Sequence, residues 1–145
     1  MNCYEVLGVL PGVTSVVGSG GKTTLLSKLS QEVRGTVVLT TSTHILPFPN
    51  MPLLENPTLS EVKDALTTHR AICIGAFSGE KHKLGPSALC AQELASVADY
   101  VFVEADGSKR LPLKAHAPHE PVIPEGSRRT IQVVGLSGFG LPVNQ

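Results

Sequence analysis

The sequence carries no excess of either charge: twelve Lys and Arg stand against twelve Asp and Glu. That balance removes the basic surface a nucleic-acid partner would need. Its three cysteines, Cys3, Cys73 and Cys90, are odd in number and form no Cys-x-x-Cys pair. A disulfide framework is therefore excluded, and a reduced, cytoplasmic chain is the economical expectation, with Cys73 and Cys90 in the core. Met1 to Pro11 holds no lysine or arginine and too short an apolar run for a secretory leader. No apolar run approaches the ~20 residues of a membrane helix. Internal repeats and heptads are absent, the five histidines show no metal-ligand spacing, and no Asn-Lys-x-Asp run is present to read guanine. His44 reads as a surface residue.

What is present is ordinary for a globular core, 41% hydrophobic and 17% charged residues, in a length that fits one domain. The chain has eleven prolines and fourteen glycines, and eight of the prolines gather in two loops, Ile45 to Pro57 and Pro112 to Pro124. Between them the chain alternates. Asn2 and Glu5 have capping-box spacing for a short helix ending near Gly8. Thr14–Val17 is a buried strand, followed by a glycine turn and a helix with Leu25, Leu26, Leu29 and Val33 at helical spacing, ending by Gly35. Thr36–Thr41 is a second strand, apolar without alternation, as expected where both faces are covered. Thr58 and Glu61 open a helix through Val62, Ala65 and Leu66. Ala71–Gly75 is a strand; after a polar loop from Ser78 to Lys83, Pro86 suits the first position of a helix carrying Leu89, Leu94 and Val97. Tyr100–Val103 and Thr130–Leu136 complete the series. This order predicts an α/β fold: a doubly wound, mostly parallel sheet of about five strands with helices on both faces. Residues 1–145 read as a single nucleotide-binding domain. Because the chain stops just past a strand with no closing helix, the expectation is that this domain is truncated at its C-terminal end.

Gly18-Ser19-Gly20-Gly21-Lys22-Thr23-Thr24 lies between the first strand and its helix. Glycines there let the backbone approach a ligand, and a helix N-terminus aims N–H groups and a positive dipole at one spot. Lysine and a hydroxyl make the spot suited to a polyphosphate with Mg²⁺. Val16 stands where the strict eight-residue pattern has glycine, so the loop resembles the shorter phosphate loops of Mur-type ligases. Lys22, expected on the solvent side, would contact the β- and γ-phosphates. Ligands of such sheets sit at the carboxyl ends of the strands. There Thr40-Thr41-Ser42-Thr43 supplies hydroxyls, with Thr41 a candidate for Mg²⁺, although strand propensity and turn formation account for the same residues. Glu104 and Asp106, two apart after a buried strand, are candidates to hold Mg²⁺ or its water, Glu104 the better metal-side choice; Asp106-Gly107 is also a good turn pair. Thr23 would share the metal. Lys109, Arg110 and Lys114 are either a solvated basic face or contacts for an anionic substrate or a transferring phosphoryl group.

Taken together, Val16–Thr24, Leu39–Thr43 and Val103–Lys109 resemble the selenium-dependent hydroxylase accessory proteins of the YqeC family. Leu111–Ala115, His119–Pro124 and Val133–Leu136 with Gly140 match it too. His44 stands where that family tends to carry lysine, and family members continue well beyond Gln145. The resemblance implies a phosphate-loop NTPase fold and a cytoplasmic role in maturing selenium-dependent molybdenum hydroxylases, with the hydroxylase or its cofactor-insertion machinery as partner. The combined expectation is a Mg²⁺-dependent protein that binds and hydrolyses ATP or GTP. Two other readings fit: a small-molecule kinase or Mur-like ATP-dependent ligase, and a non-catalytic module switched by nucleotide.

Overall fold

The computed structural model describes residues 1–79, 82–107 and 116–140. Lys109 and Lys114, with Arg110, lie outside the described residues. Helix α1 (Cys3–Val6) starts where Asn2 N–H donates to the Glu5 carboxylate at 3.1 Å, as the spacing predicts. Strand β1 (Gly12–Gly18) leads through the glycine turn into α2 (Lys22–Glu32), and β2 (Val37–Thr41) follows. Then come β3 (Leu53–Glu55), α3 (Leu59–Thr68), β4 (Ala71–Ser78), β5 (Lys83–Gly85), α4 (Ala91–Ala95), β6 (Tyr100–Glu104) and β7 (Arg129–Val133), with a 3₁₀ turn at Leu136–Gly138.

The sheet has seven strands rather than about five, in the order β3-β4-β2-β6-β1-β7, with β5 paired antiparallel to β4 and every other pairing parallel. The two additional strands are short. β3 lies inside the first proline-rich loop, where Pro52 still contributes a carbonyl to Cys73 N–H at 2.8 Å. β5 folds back on β4 so closely that a Cβ at Gly75 would come within 2.4 Å of Leu84.

β2 and β6 are buried at every position, and β1 at all but Gly12, which explains their lack of alternation: helices cover both faces. On one face α2 packs Leu26 and Leu29 against Val16, Leu39 and Phe102. On the other, α3 and α4 pack Val62, Leu66 and Leu94 against Val13, Val38 and Val101. Thr58 and Glu61 form the capping box expected of α3, with Thr58 N–H donating to Glu61 at 2.7 Å.

The start of α4 and the end of β7 differ from the sequence reading, while β1 and β4 run longer than it, over Gly12–Gly18 and Ala71–Ser78. α4 begins at Ala91, five residues after Pro86, because Cys90 is its N-cap: Cys90 N–H donates to Glu93 at 2.8 Å and its sulfur receives Glu93 N–H at 3.5 Å. Cys90 is accordingly exposed, not in the core; Cys73 is buried as expected. β7 ends at Val133, three residues early, because the phosphate loop captures its end: Ser19 N–H donates to Val133 O at 2.9 Å and Gly135 N–H to Ser19 Oγ at 2.8 Å. Among the described residues no helix is long and apolar enough to cross a membrane.

Candidate functional site at the carboxyl end of the sheet

β6 lies between β1 and β2 with Val16 and Thr41 both in register with Glu104, so three strand ends meet at one place. The glycine loop leaves β1 there. Gly18 and Gly21 have φ of +108° and +105°, where L side chains are strained. A Cβ at Gly18 would stand 2.1 Å from Val133 O, whereas one at Gly20 would meet nothing within 4 Å. Gly18 thus fits the loop against the protein, while Gly20 faces open space. Gly20, Gly21 and Thr24 are exposed around that space. The first N–H groups of α2, on Lys22, Thr23 and Thr24, have no intrahelical partners. Ser19 differs: it is 1% exposed, its N–H and hydroxyl both donate to Val133 O and its hydroxyl accepts from Gly135 N–H, so this side chain fastens the loop to β7.

Lys22 is not on the solvent side. It is 2% exposed, because its stem folds back over the loop and the ammonium donates to Gly18 O at 2.7 Å and Ser19 O at 3.4 Å. The same ammonium lies 3.0 Å from Asp106 Oδ1 and 3.9 Å from Glu104 Oε1. A buried cation needs such partners, since an unpaired one costs several kcal/mol, roughly 3–5 by analogy with broken buried pairs.

The two carboxylates do different work. Asp106 is fully buried; its Oδ2 accepts Gly18 N–H at 2.8 Å and meets His116 Nε2 at 2.7 Å. Burial pushes its pKa up, but Gly18 N–H, His116 and Lys22 together outweigh that and hold it below the ordinary 3.8. Asp106 is therefore a fixed anion tying loop, lysine and the β6–β7 connection together. Glu104 keeps one oxygen near Thr23, whose hydroxyl donates to Oε2 at 3.3 Å. Its burial, with the neighbouring Asp106 charge, raises its pKa above 4.5 despite Lys22 and Thr23. Ionised Glu104 is thus held at a cost, as a carboxylate awaiting a cation would be.

The sign of that cost is testable. A raised folded pKa means stability fully present below about pH 4.5 and lost as pH rises through the folded pKa. Glu104→Gln, which imitates the neutral form, should raise the melting temperature of the ligand-free protein at neutral pH, by about 2–4 °C per kcal/mol of relieved penalty. The gain should disappear toward pH 4.5. A lower melting temperature for the glutamine variant at pH 7 would show that the charge is net stabilising.

The structure thus gathers Gly18, Ser19, Gly20, Gly21, Lys22, Thr23, Thr24, Glu104 and Asp106 at one locus. Thr41 stands beside them, but its hydroxyl donates to Glu104 O at 2.9 Å and accepts Thr43 N–H at 3.0 Å, so it fastens β2 to β6 and is not directed at the Glu104 carboxylate. His116 is the residue that sequence reasoning passed over; its partner Asp106 lies ten positions earlier in the chain, and no spacing signals the pair. Among the described residues no cluster of three or more His, Cys, Asp or Glu forms a protein-only metal site. A site of one hydroxyl and one carboxylate suits Mg²⁺, which takes one or two protein ligands and completes its shell with water and phosphate oxygens.

Comparison with known proteins gives the family of the chain. The sequence model of the family described as YqeC protein matches residues 14–145, a span that begins in β1 and includes every candidate residue. The chain belongs to the YqeC family. The Escherichia coli (strain K12) protein described as "Uncharacterized protein YqeC" is 34% identical over 143 residues, covering 92% of this chain and 56% of that relative. This YqeC-family chain therefore spans a little over half the length of the curated relative it matches. No solved structure matches it.

Proposed function

We propose that this YqeC-family chain binds a nucleoside triphosphate with Mg²⁺ through the loop Gly18–Thr24 and hydrolyses it. One observation carries the reading: the Lys22 ammonium is held across a glycine loop, between that loop's carbonyls and two carboxylates at and just past the end of β6. The open space at Gly20 and the N–H groups at the start of α2, which lack intrahelical partners, are suited to phosphate oxygens. Thr23 and Glu104 would hold Mg²⁺, which when bound neutralises phosphate charge. Relieving the penalty on ionised Glu104 favours a cation there. Asp106 positions Lys22 and the Gly18 peptide. A cytoplasmic role in the maturation of selenium-dependent molybdenum hydroxylases, with ATP or GTP as the nucleotide, rests on the family resemblance.

The test separates binding from folding. Calorimetry with ATP and GTP should show Mg²⁺-dependent binding to the native chain. Gly20→Val, whose Cβ meets no protein atom within 4 Å and which has no left-handed φ to strain, should melt as the native protein does while its affinity falls at least about 10-fold, a loss of 1.4 kcal/mol. Equal affinity in the valine variant would remove the loop from any phosphate site.

A further inference from the structure

On the opposite face of β6 from Lys22, a cleft of about 280 Å³ opens at the carboxyl ends of β2 and β6. Thr40, Val103, Leu89, Cys90, Gln92 and Glu125 line it, the first two from the sheet, the next three from the entry to α4 and the last from the connection to β7. It is separate from the phosphate loop yet adjoins it, because Thr41 also lines the cleft and bonds Glu104 O.

The hydroxyls around this cleft are nearly all engaged: Thr41 on Glu104 O, Ser42 on Val122 O, Ser87 receiving Leu89 N–H. Thr40 is the exception. It is 5% exposed, alternates with the core residue Val38 so that it faces the α4 side, lines the cleft, and its hydroxyl has no protein partner among the described residues. Open to the cleft and without a protein partner, that hydroxyl is free to bond a molecule seated there.

The lining also fixes the ligand's chemistry. Leu89, Val103 and the two prolines Pro86 and Pro124 give it apolar walls. Glu125 is the charged group among the described lining residues, and no lysine, arginine or histidine is among them. Among the described lining residues a phosphate or carboxylate finds nothing to neutralise it. The volume is at the small end of ligand sites, which run from about 300 Å³ upward. We propose that this cleft binds a small uncharged or cationic, partly apolar molecule through the Thr40 hydroxyl. Resting on the nucleotide reading above, that molecule is the co-substrate of the phosphate-loop centre. Anion recognition and co-substrate recognition are thereby divided between the two faces of β6.

The two readings fail separately. Amide spectra of the ¹⁵N-labelled chain are recorded with small fragments paired by charge, nicotinamide with nicotinate and uracil with orotate, within a library of uncharged and cationic fragments. Uncharged members should move the Thr40, Cys90 and Gln92 resonances and slow alkylation of Cys90 by iodoacetamide at least about threefold, while their anionic partners do neither. Thr40→Val should abolish both effects with an unchanged or higher melting temperature and unchanged Mg²⁺-nucleotide affinity. If no uncharged or cationic fragment moves those resonances, if the anionic partners act equally, or if Thr40→Val binds as the native chain does, the cleft is not this site. Fragment binding without any nucleotide binding would instead sink the phosphate-loop reading and leave the cleft standing.

Discussion

Asp106→Ala should be the most damaging single change at the centre of this fold, lowering unfolding free energy by about 3–5 kcal/mol, the range for removing one partner of a buried ion pair. The reason is the number of groups that depend on one carboxylate. Lys22, 2% exposed, loses its closest anion at 3.0 Å, while Gly18 N–H and His116 lose their acceptor. Glu104 at 3.9 Å is a poor substitute, since burial already opposes its charge. Urea denaturation reads the loss directly. The pH dependence adds a signature: with its folded pKa depressed, Asp106 contributes stability that is present above the ordinary 3.8 and lost as pH falls through the folded value. In Asp106→Asn that acid-side loss should flatten. Native-like stability in both variants would mean that Lys22 and the loop are held by something other than this carboxylate.

Lys22→Met should act in the opposite direction on pH and strike binding as well. Methionine keeps the length of the stem but leaves Glu104 and Asp106 as neighbouring anions without their cation. Lys22 lowers the Glu104 pKa, so its removal raises that pKa further. The variant's stability should then be fully present below about pH 4.5 and decline as pH rises through the new folded value, a slope set by proton uptake. Mg²⁺-nucleotide affinity, measured at a pH where the variant is folded, should fall by about 10-fold to 100-fold, the worth of a charged hydrogen bond. If a folded Lys22→Met binds nucleotide as tightly as the native chain, the lysine is structural and the phosphate-loop proposal fails.

Much of this centre was readable in advance because its parts are local. A strand, three glycines, Lys22 and an amphipathic helix follow one another within a few residues, and Thr58 with Glu61 announces α3 in the same way. The readings that shifted were those decided by partners far along the chain. Lys22 sits in the first turn of a helix, a position that reads as exposed; its depth is set by Asp106 arriving from β6, 84 residues on. β3 was hidden by Pro52 and Pro57, since proline argues against a strand, yet its carbonyl serves a parallel neighbour perfectly well. Cys90 escaped as a cap because sulfur seldom takes the place of a hydroxyl oxygen. His116 meets Asp106 through a contact that no sequence spacing announces.

The two glycines at positions 18 and 20 answer to different authorities. A side chain at 18 would strike the carbonyl of Val133, so the protein's own architecture forbids it. At position 20 a side chain would collide only with whatever enters the mouth of the loop. A lineage that stopped using the loop would still be obliged to keep the first glycine and would be at liberty to lose the second. Under the nucleotide proposal, glycine kept at 18 but lost at 20 would mark a loop that no longer holds phosphate while the fold lives on.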